Sequence, residues 1–204
     1  MADFTLSRGL KNIVYAEVTH DAADGYTVGE PKPLIPGGNL ATSVNSSTAD
    51  TYFDNALFYR AGQEAETTVT IDGAFLRPAQ LAEITGKTVD VATGAIIDDG
   101  TYHEKYFAVG AEIGLVDGTK MLVWFLKGTF TMPAENAKTE DASTDVNGMQ
   151  LVYSAIKTVN TFGGGNGCKR VICDTEVSDM VESKNWFEQV VTPSNLSTIV
   201  KKKG

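Results

Sequence analysis

From Tyr106 to Leu115 the chain alternates, with Phe107, Val109, Ala111, Ile113 and Leu115 at odd positions and Tyr106, Ala108, Gly110, Glu112 and Gly114 between them. A period of two sends successive side chains to opposite faces, which is the mark of a β-strand. Asp117-Gly118 follows, a dipeptide that tolerates the positive φ angles of a two-residue type I′ turn, and 121–130 is again rich in β-branched and aromatic residues. Together they predict a hairpin. Such a turn sets Ile113 opposite Leu122, Ala111 opposite Trp124 and Val109 opposite Leu126, an apolar face expected to be core. The other face carries Ala108, Gly110, Phe125 and Lys127, with Met121 and Val123 near the turn. It is too apolar to lie in water, so either a helix of the same chain or a neighbouring subunit is expected to cover it. Met121, Val123 and Phe125 are therefore candidates for a subunit interface.

Runs of Val, Ile, Thr and aromatic residues predict further strands at 10–18, 40–48, 65–71, 149–160 and 169–175. One helix is predicted at 77–85, where Pro78 suits the first turn, Leu81 and Ile84 share a face and Gly86 supplies a left-handed stop. Segments 31–38, 133–147 and 163–167 read as loops, and the chain from 177 onward has no clear period. The terminal Lys201, Lys202 and Lys203 read as a solvated end. With no repeat or linker, the expectation is one domain over 1–204, with a long loop or arm at about 41–63 and an unassigned C-terminal extension at about 176–204. The arm is rich in Ser and Thr and then aromatic, with Tyr52, Phe53, Phe58 and Tyr59. Two readings stand side by side: a loop folded back on its own core, or an arm whose rings dock on another subunit.

Composition narrows the function. The 204 residues carry 17 Lys and Arg against 26 Asp and Glu, a formal charge of −9, the wrong sign for a protein that grips phosphates by releasing their counterions. Cys168 and Cys173 are too few and wrongly spaced for a disulfide scaffold or a redox motif and read as reduced thiols. The N-terminus has neither the basic nor the apolar region of a signal peptide, and no stretch approaches the length of a membrane span, so synthesis and folding in a cytoplasm are expected. His103-Glu104-Lys105-Tyr106-Phe107 begins like a zinc-protease motif but lacks the second histidine. The Gly-rich run at 163–167 has the spacing of neither nucleotide fingerprint, and Asp98-Asp99-Gly100 lacks the alternating oxygens of a calcium loop. With no G-x-S-x-G elbow either, the chain is read as a structural protein without catalytic residues, metal or cofactor.

Several stretches in order resemble a known family. Gly9-Leu10-Lys11-Asn12-Ile13-Val14-Tyr15-Ala16 is similar to its opening strand, followed by Gly29-Glu30-Pro31-Lys32-Pro33-Leu34; Ile84-Thr85-Gly86 leads into Tyr106-Phe107-Ala108-Val109-Gly110, and Val123-Trp124-Phe125-Leu126-Lys127-Gly128-Thr129-Phe130 resembles its most recognisable strand. The family is that of the phage major tail proteins of the phi13 and TP901-1 type. The resemblance spans 9–130 and, loosely, 149–156; beyond Phe162 the chain has no counterpart in it.

The resemblance implies a mainly β fold with one flanking α-helix, a β-sandwich or half-barrel similar to the tube protein of type VI secretion. It also implies hexameric rings stacked into a tail tube, with the chain itself as principal partner. A tape-measure protein would fill the lumen, tail terminator and distal tail proteins would sit at the ends, and DNA would be present only in transit, with no membrane involved. The location implied is the virion tail, assembled in the host cytoplasm. Thr51, Tyr52, Phe53, Asp54, Phe58, Tyr59 and Arg60 are then expected to reach between rings, and Glu112, Asp98 and Asp99 to line an acidic lumen that DNA slides past. The alternative from another class is a β-rich carbohydrate- or receptor-binding module using Tyr52, Phe53, Asp54 and Asn55.

Overall fold

The structure, a computed structural model, describes residues 4–101, 103–133, 148–175 and 183–199. The chain opens with β1 (Ser7–Ala22), β2 (Gly25–Val28), β3 (Lys32–Pro33), β4 (Gly37–Phe53) and β5 (Ala56–Gly73). It continues through α1 (Pro78–Thr85), β6 (Thr88–Val89), β7 (Ile96–Ile97), β8 (Phe107–Leu115) and β9 (Lys120–Phe130), and ends with β10 (Met149–Ala155), β11 (Arg170–Asp174), α2 (Ser183–Glu188) and α3 (Leu196–Ile199). The protein is mainly β, as expected, but with three short helices among the described residues instead of one. Most of the loop predicted at 133–147 and all of the lysine tail lie outside the described residues.

The strands form one antiparallel sheet, ordered β2-β1-β8-β9-β10-β5-β4, with β3 added to β1 and β11 to β9; β6 and β7 make a separate hairpin. It is a single sheet and not two stacked ones. Leu34 N donates to Ile13 O across 2.9 Å, carrying the chain from β3 back toward β4, whose first residue Gly37 lies against Ile13 and Leu10 of β1. A Cβ at Gly37 would stand 2.2 Å from Ile13 Cδ1, so any other residue there would have to push that side chain aside.

The central hairpin is present in a register one residue away from the expected one. Val109 pairs with Phe125, Ala111 with Val123 and Ile113 with Met121. The turn has three residues, not two: Gly118 N donates to Leu115 O, Leu115 N donates to Thr119 O, and Gly118 alone takes a positive φ, of 91°. That is a type I turn closed by a left-handed glycine, and the extra residue slips the strand. Asp117 Oδ1 accepts from Thr119 N at 2.8 Å and holds the turn.

Both faces of β8 and β9 are covered by the same chain. On one, Val109, Val123 and Phe125 join Tyr15, Val69, Ile71, Phe107, Phe130, Leu151 and Tyr153, closed by Leu81 and Ile84 of α1. The helix runs from Pro78 to a left-handed Gly86 with φ 72°, and Lys87 N donates to Ala82 O beyond it, as its sequence signals predict. On the other face, Leu122, Trp124 and Leu126 pack under Trp186, Val190, Val191 and Ile199. Trp124 Nε1 donates to Trp186 O at 3.0 Å. The described part of the C-terminal extension is thus the lid of a second core.

One buried ion pair ties the long crossover between β10 and β11 to β1. Lys127 Nζ donates to Asp21 Oδ2 at 2.8 Å, with the Asp21 side chain 3% exposed. Val159 N and Asn160 N also donate to the Asp21 carboxylate, at 2.8 and 2.9 Å, and the Lys127 ammonium lies over the Tyr106 ring. Burial alone raises the Asp21 pKa, but the Lys127 and backbone donors outweigh it and hold the carboxyl below its ordinary value of 3.8. A depressed folded pKa gives stability that is present above the unfolded value and lost as pH falls through the folded one. Asp21→Asn is therefore expected to lower the urea midpoint clearly at pH 7, with the gap to the wild type narrowing below about pH 4; a gap independent of pH would refute the ionic role. The core assignment has its own test. Phe125 is 1% exposed in the subunit's own core, so Phe125→Ala is expected to cost about 3–5 kcal/mol in urea unfolding, and Phe125→Asp to leave no cooperative transition. A stable Phe125→Asp chain would show that the face lies elsewhere.

Candidate assembly surface

Outside both cores, Phe4, Leu6, Phe75, Val91, Ile97 and Val116 are exposed on the body, and four neighbouring aromatic side chains stand together at the end of one hairpin. β4 and β5 pair with each other from Gly37↔Gly73 to Phe53↔Ala56, but β5 pairs with β10 only from Gly73 to Thr67. Beyond that point the hairpin leaves the sheet as a two-stranded ribbon, extending about 25 Å from Ser46 to Phe53 at the usual rise per residue. Its turn residues Asp54 and Asn55 take φ 50° and 60°, the left-handed pair of a type I′ turn, which Asn and Asp tolerate best. A strand is expected at 40–48 and a long loop or arm at about 41–63; apart from the Asp54-Asn55 turn the whole segment is bulged strand, because Ser, Thr and Tyr satisfy β geometry without apolar alternation.

The tip is aromatic and open to solvent. Tyr52 and Phe53 are each 60% exposed, Tyr59 61% and Phe58 73%. Phe53 and Phe58 meet edge to face with centroids 5.2 Å apart, and Arg60 clamps Asp50 through two hydrogen bonds of 2.7 and 2.9 Å. The rings do not fold back on the core, which removes the first of the two readings of this segment. Aromatic clusters of this kind are what protein interfaces bury.

The other proposed site residues fall elsewhere. Val123 and Phe125, predicted to meet a neighbour, are 5% and 1% exposed in the first core, and Met121 is half-buried beside them. The one-residue register slip and the cover supplied by α1 account for this correction. Glu112, expected in the lumen, is 4% exposed. Asn12 Nδ2 donates to it at 2.7 Å and Lys120 Nζ pairs with it at 2.9 Å, so its carboxylate belongs to the sheet interior. Asn12 reaches it from a bulge in β1, where its φ is 50°. Asp98 and Asp99 are exposed in the turn after β7. Lys87 Nζ donates to Asp98 at 2.6 Å and holds its pKa down; Thr101 N does the same to Asp99 at 2.8 Å.

His20 pairs with Asp24 at the exposed β1–β2 turn, and His103 lies against Gly86. Cys168 and Cys173 are free, with burial pushing both thiols up and away from the reactive thiolate. Among the described residues no three His, Cys, Asp or Glu side chains gather in a metal cluster, and no helix is long and apolar enough to cross a membrane. Comparison with models of known protein families finds no match, and a search of curated proteins finds none either.

Because the tip touches neither core, replacing Tyr52, Phe53, Phe58 and Tyr59 together by Ser is expected to shift the stability of the body by no more than about 0.5 kcal/mol per site. It should also remove any self-association detected by sedimentation. Unchanged association would mean that the rings are not a contact surface.

Proposed function

We propose that this chain is the subunit of a self-assembling tube, the tail tube of a long-tailed phage, in which rings of the protein stack through the β4–β5 ribbon. The observation that carries the reading is the ribbon itself: four exposed rings at the end of a stalk outside a body in which both faces of the central hairpin are covered. The order of strand motifs along 9–130, similar to that of the phage major tail proteins, gives the tube its identity in this proposal, and the large antiparallel sheet would be the part such a subunit contributes to the tube wall.

The physical logic is direct. A projecting aromatic tip buries its rings only when another copy receives it. In the proposed tube, the partners are further copies of the chain in hexameric rings, a tape-measure protein inside, and terminator and distal proteins at the ends. DNA passes through a lumen whose acidic groups repel it, with Asp98 and Asp99 as surface candidates and Glu112 excluded by its burial. A carbohydrate- or receptor-binding role for Tyr52, Phe53, Asp54 and Asn55 is weaker, because these residues stand at the exposed end of a hairpin instead of lining a concave pocket.

Electron microscopy of the purified protein is expected to show rings or tubes with a central channel, and antibodies against the chain to label the tail of the phage particle. A protein that stays monomeric at high concentration, or labelling confined to another part of the particle, would overturn the proposal.

A further inference from the structure

The ribbon leaves the sheet at one sharply defined place, and a single lysine grips that place. In the β4–β5 ladder Val44 pairs with Thr67, but the next pair outward is Ser46 with Glu64, so Ala65 and Glu66 together oppose Asn45. This is a β-bulge, which bends a strand and raises its twist. It sits where the last β5–β10 pair, Thr67↔Ala155, ends. Across the gap stands Lys169, whose backbone is fixed to β9 by the Leu126 N to Lys169 O bond of 3.0 Å. Its side chain is 9% exposed. Lys169 Nζ donates to Ala65 O at 2.6 Å, to Glu64 Oε1 at 2.8 Å and to Thr67 Oγ1 at 3.2 Å. These three acceptors lie inside the bulge, on its outer side and on its inner side.

We propose that Lys169 is the positioning residue of the ribbon: it staples the bulge at Ala65–Glu66 and so sets the direction in which the aromatic tip is presented to another copy of the chain. This rests on the assembly reading above for its consequence, but not for its geometry. A bulge by itself is a point where a two-stranded ribbon can swing, because the ladder is interrupted there and no third strand supports the outer part. A buried ammonium with three donors needs three acceptors, and at Lys169 all three belong to β5: Glu64 and Ala65 on the part that would move if the ribbon swung, and Thr67 on the part held by β10. Every deflection therefore costs charged hydrogen bonds. The Glu64 contact is half exposed and contributes least; the Ala65 carbonyl within the bulge and the Thr67 hydroxyl on its inner side hold the lysine at the bend. The Glu64 carboxyl is held below its usual range first by the Lys169 hydrogen bond, with Arg170 and Lys157 adding to a basic surround, so the charge balance at the hinge persists at neutral pH. The Gly-rich stretch ahead of β11 then has a structural use, since it frees the chain to return from the Asp21 anchor and deliver Lys169 to the ribbon base.

The test separates the hinge from the assembly. In a chain made non-associating by the four Ser substitutions at the tip, with Cys168→Ser and Cys173→Ala, spin labels at Thr51→Cys and Glu30→Cys report the tip-to-body distance. One narrow distance distribution is expected with Lys169 present. Lys169→Met, which keeps the buried stem and removes the donors, is expected to raise the share of other orientations about tenfold. A narrow distribution retained in Lys169→Met, or a broad one with Lys169 intact, overturns the proposal. If Lys169→Met does not fold, the pair Glu64→Gln and Thr67→Val leaves the lysine in place and is expected to broaden the distribution less; no broadening there overturns it equally. With the native tip restored, Lys169→Met is expected to slow tube growth about tenfold. Equal growth rates despite a broadened distribution would refute the positioning role. A hinge effect in a protein that never polymerises would leave Lys169 as the hinge staple and remove only the tube reading.

Discussion

A strand that is apolar on both faces must be covered twice, and that requirement on β9 organises the molecule. Val123 and Phe125 point one way, and Leu122, Trp124 and Leu126 the other. The first group is met by strands β1, β5, β8 and β10 and by α1; the second by the C-terminal segment carrying Trp186, Val190, Val191 and Ile199. Neither cover is local in sequence, so the fold closes only when both ends of the chain have returned to the centre. The Asp21–Lys127 pair sits on this return path, holding the crossover from β10 against β1. In the C-terminal lid, Trp186 Nε1 is buried without a hydrogen-bond partner among the described residues.

Much of this was legible in the residues. The alternation at 106–115 gave β8, and Pro78 with Gly86 bracketed α1 to within a residue, because caps and period act locally. The register of the central hairpin was not legible, since Asp117-Gly118 suits two turn types and only the Leu115–Thr119 pairing distinguishes them. A one-residue difference there moved Val123 and Phe125 from an expected interface into the core. The C-terminal lid was hidden for another reason: α2 and α3 are too short to show a helical period, and their burial comes from the distant strand they meet. The ribbon was half visible. Its aromatics stood out, but its Ser- and Thr-rich stalk hid the strand behind a composition shared with loops.

The acidic excess has a more local explanation than the total charge suggests. Glu112 is taken up by Asn12 and Lys120, Asp21 by Lys127, Asp50 by Arg60, Glu83 by Lys32 and Glu64 by Lys169. Asp90, Asp98, Asp99 and Asp117 accept backbone donors in turns. Many acids are thus parts of the scaffold, so net charge by itself locates no lumen.

An exposed two-stranded ribbon is a hazard, because its unpaired outer groups are a template for any passing strand. The stalk lowers that hazard with polar residues: Ser43, Asn45, Ser46 and Thr48 on one strand, Arg60, Glu64 and Glu66 on the other, and bulges that twist both. Hydrophobic surface is withheld until Tyr52, Phe53, Phe58 and Tyr59 at the end. The result is a contact that is weak along its length and concentrated at its tip, where a partner must present a matching apolar site. Indiscriminate edge pairing is disfavoured by the same residues that leave the aromatic end available, and a ribbon held at a set angle makes that availability directional.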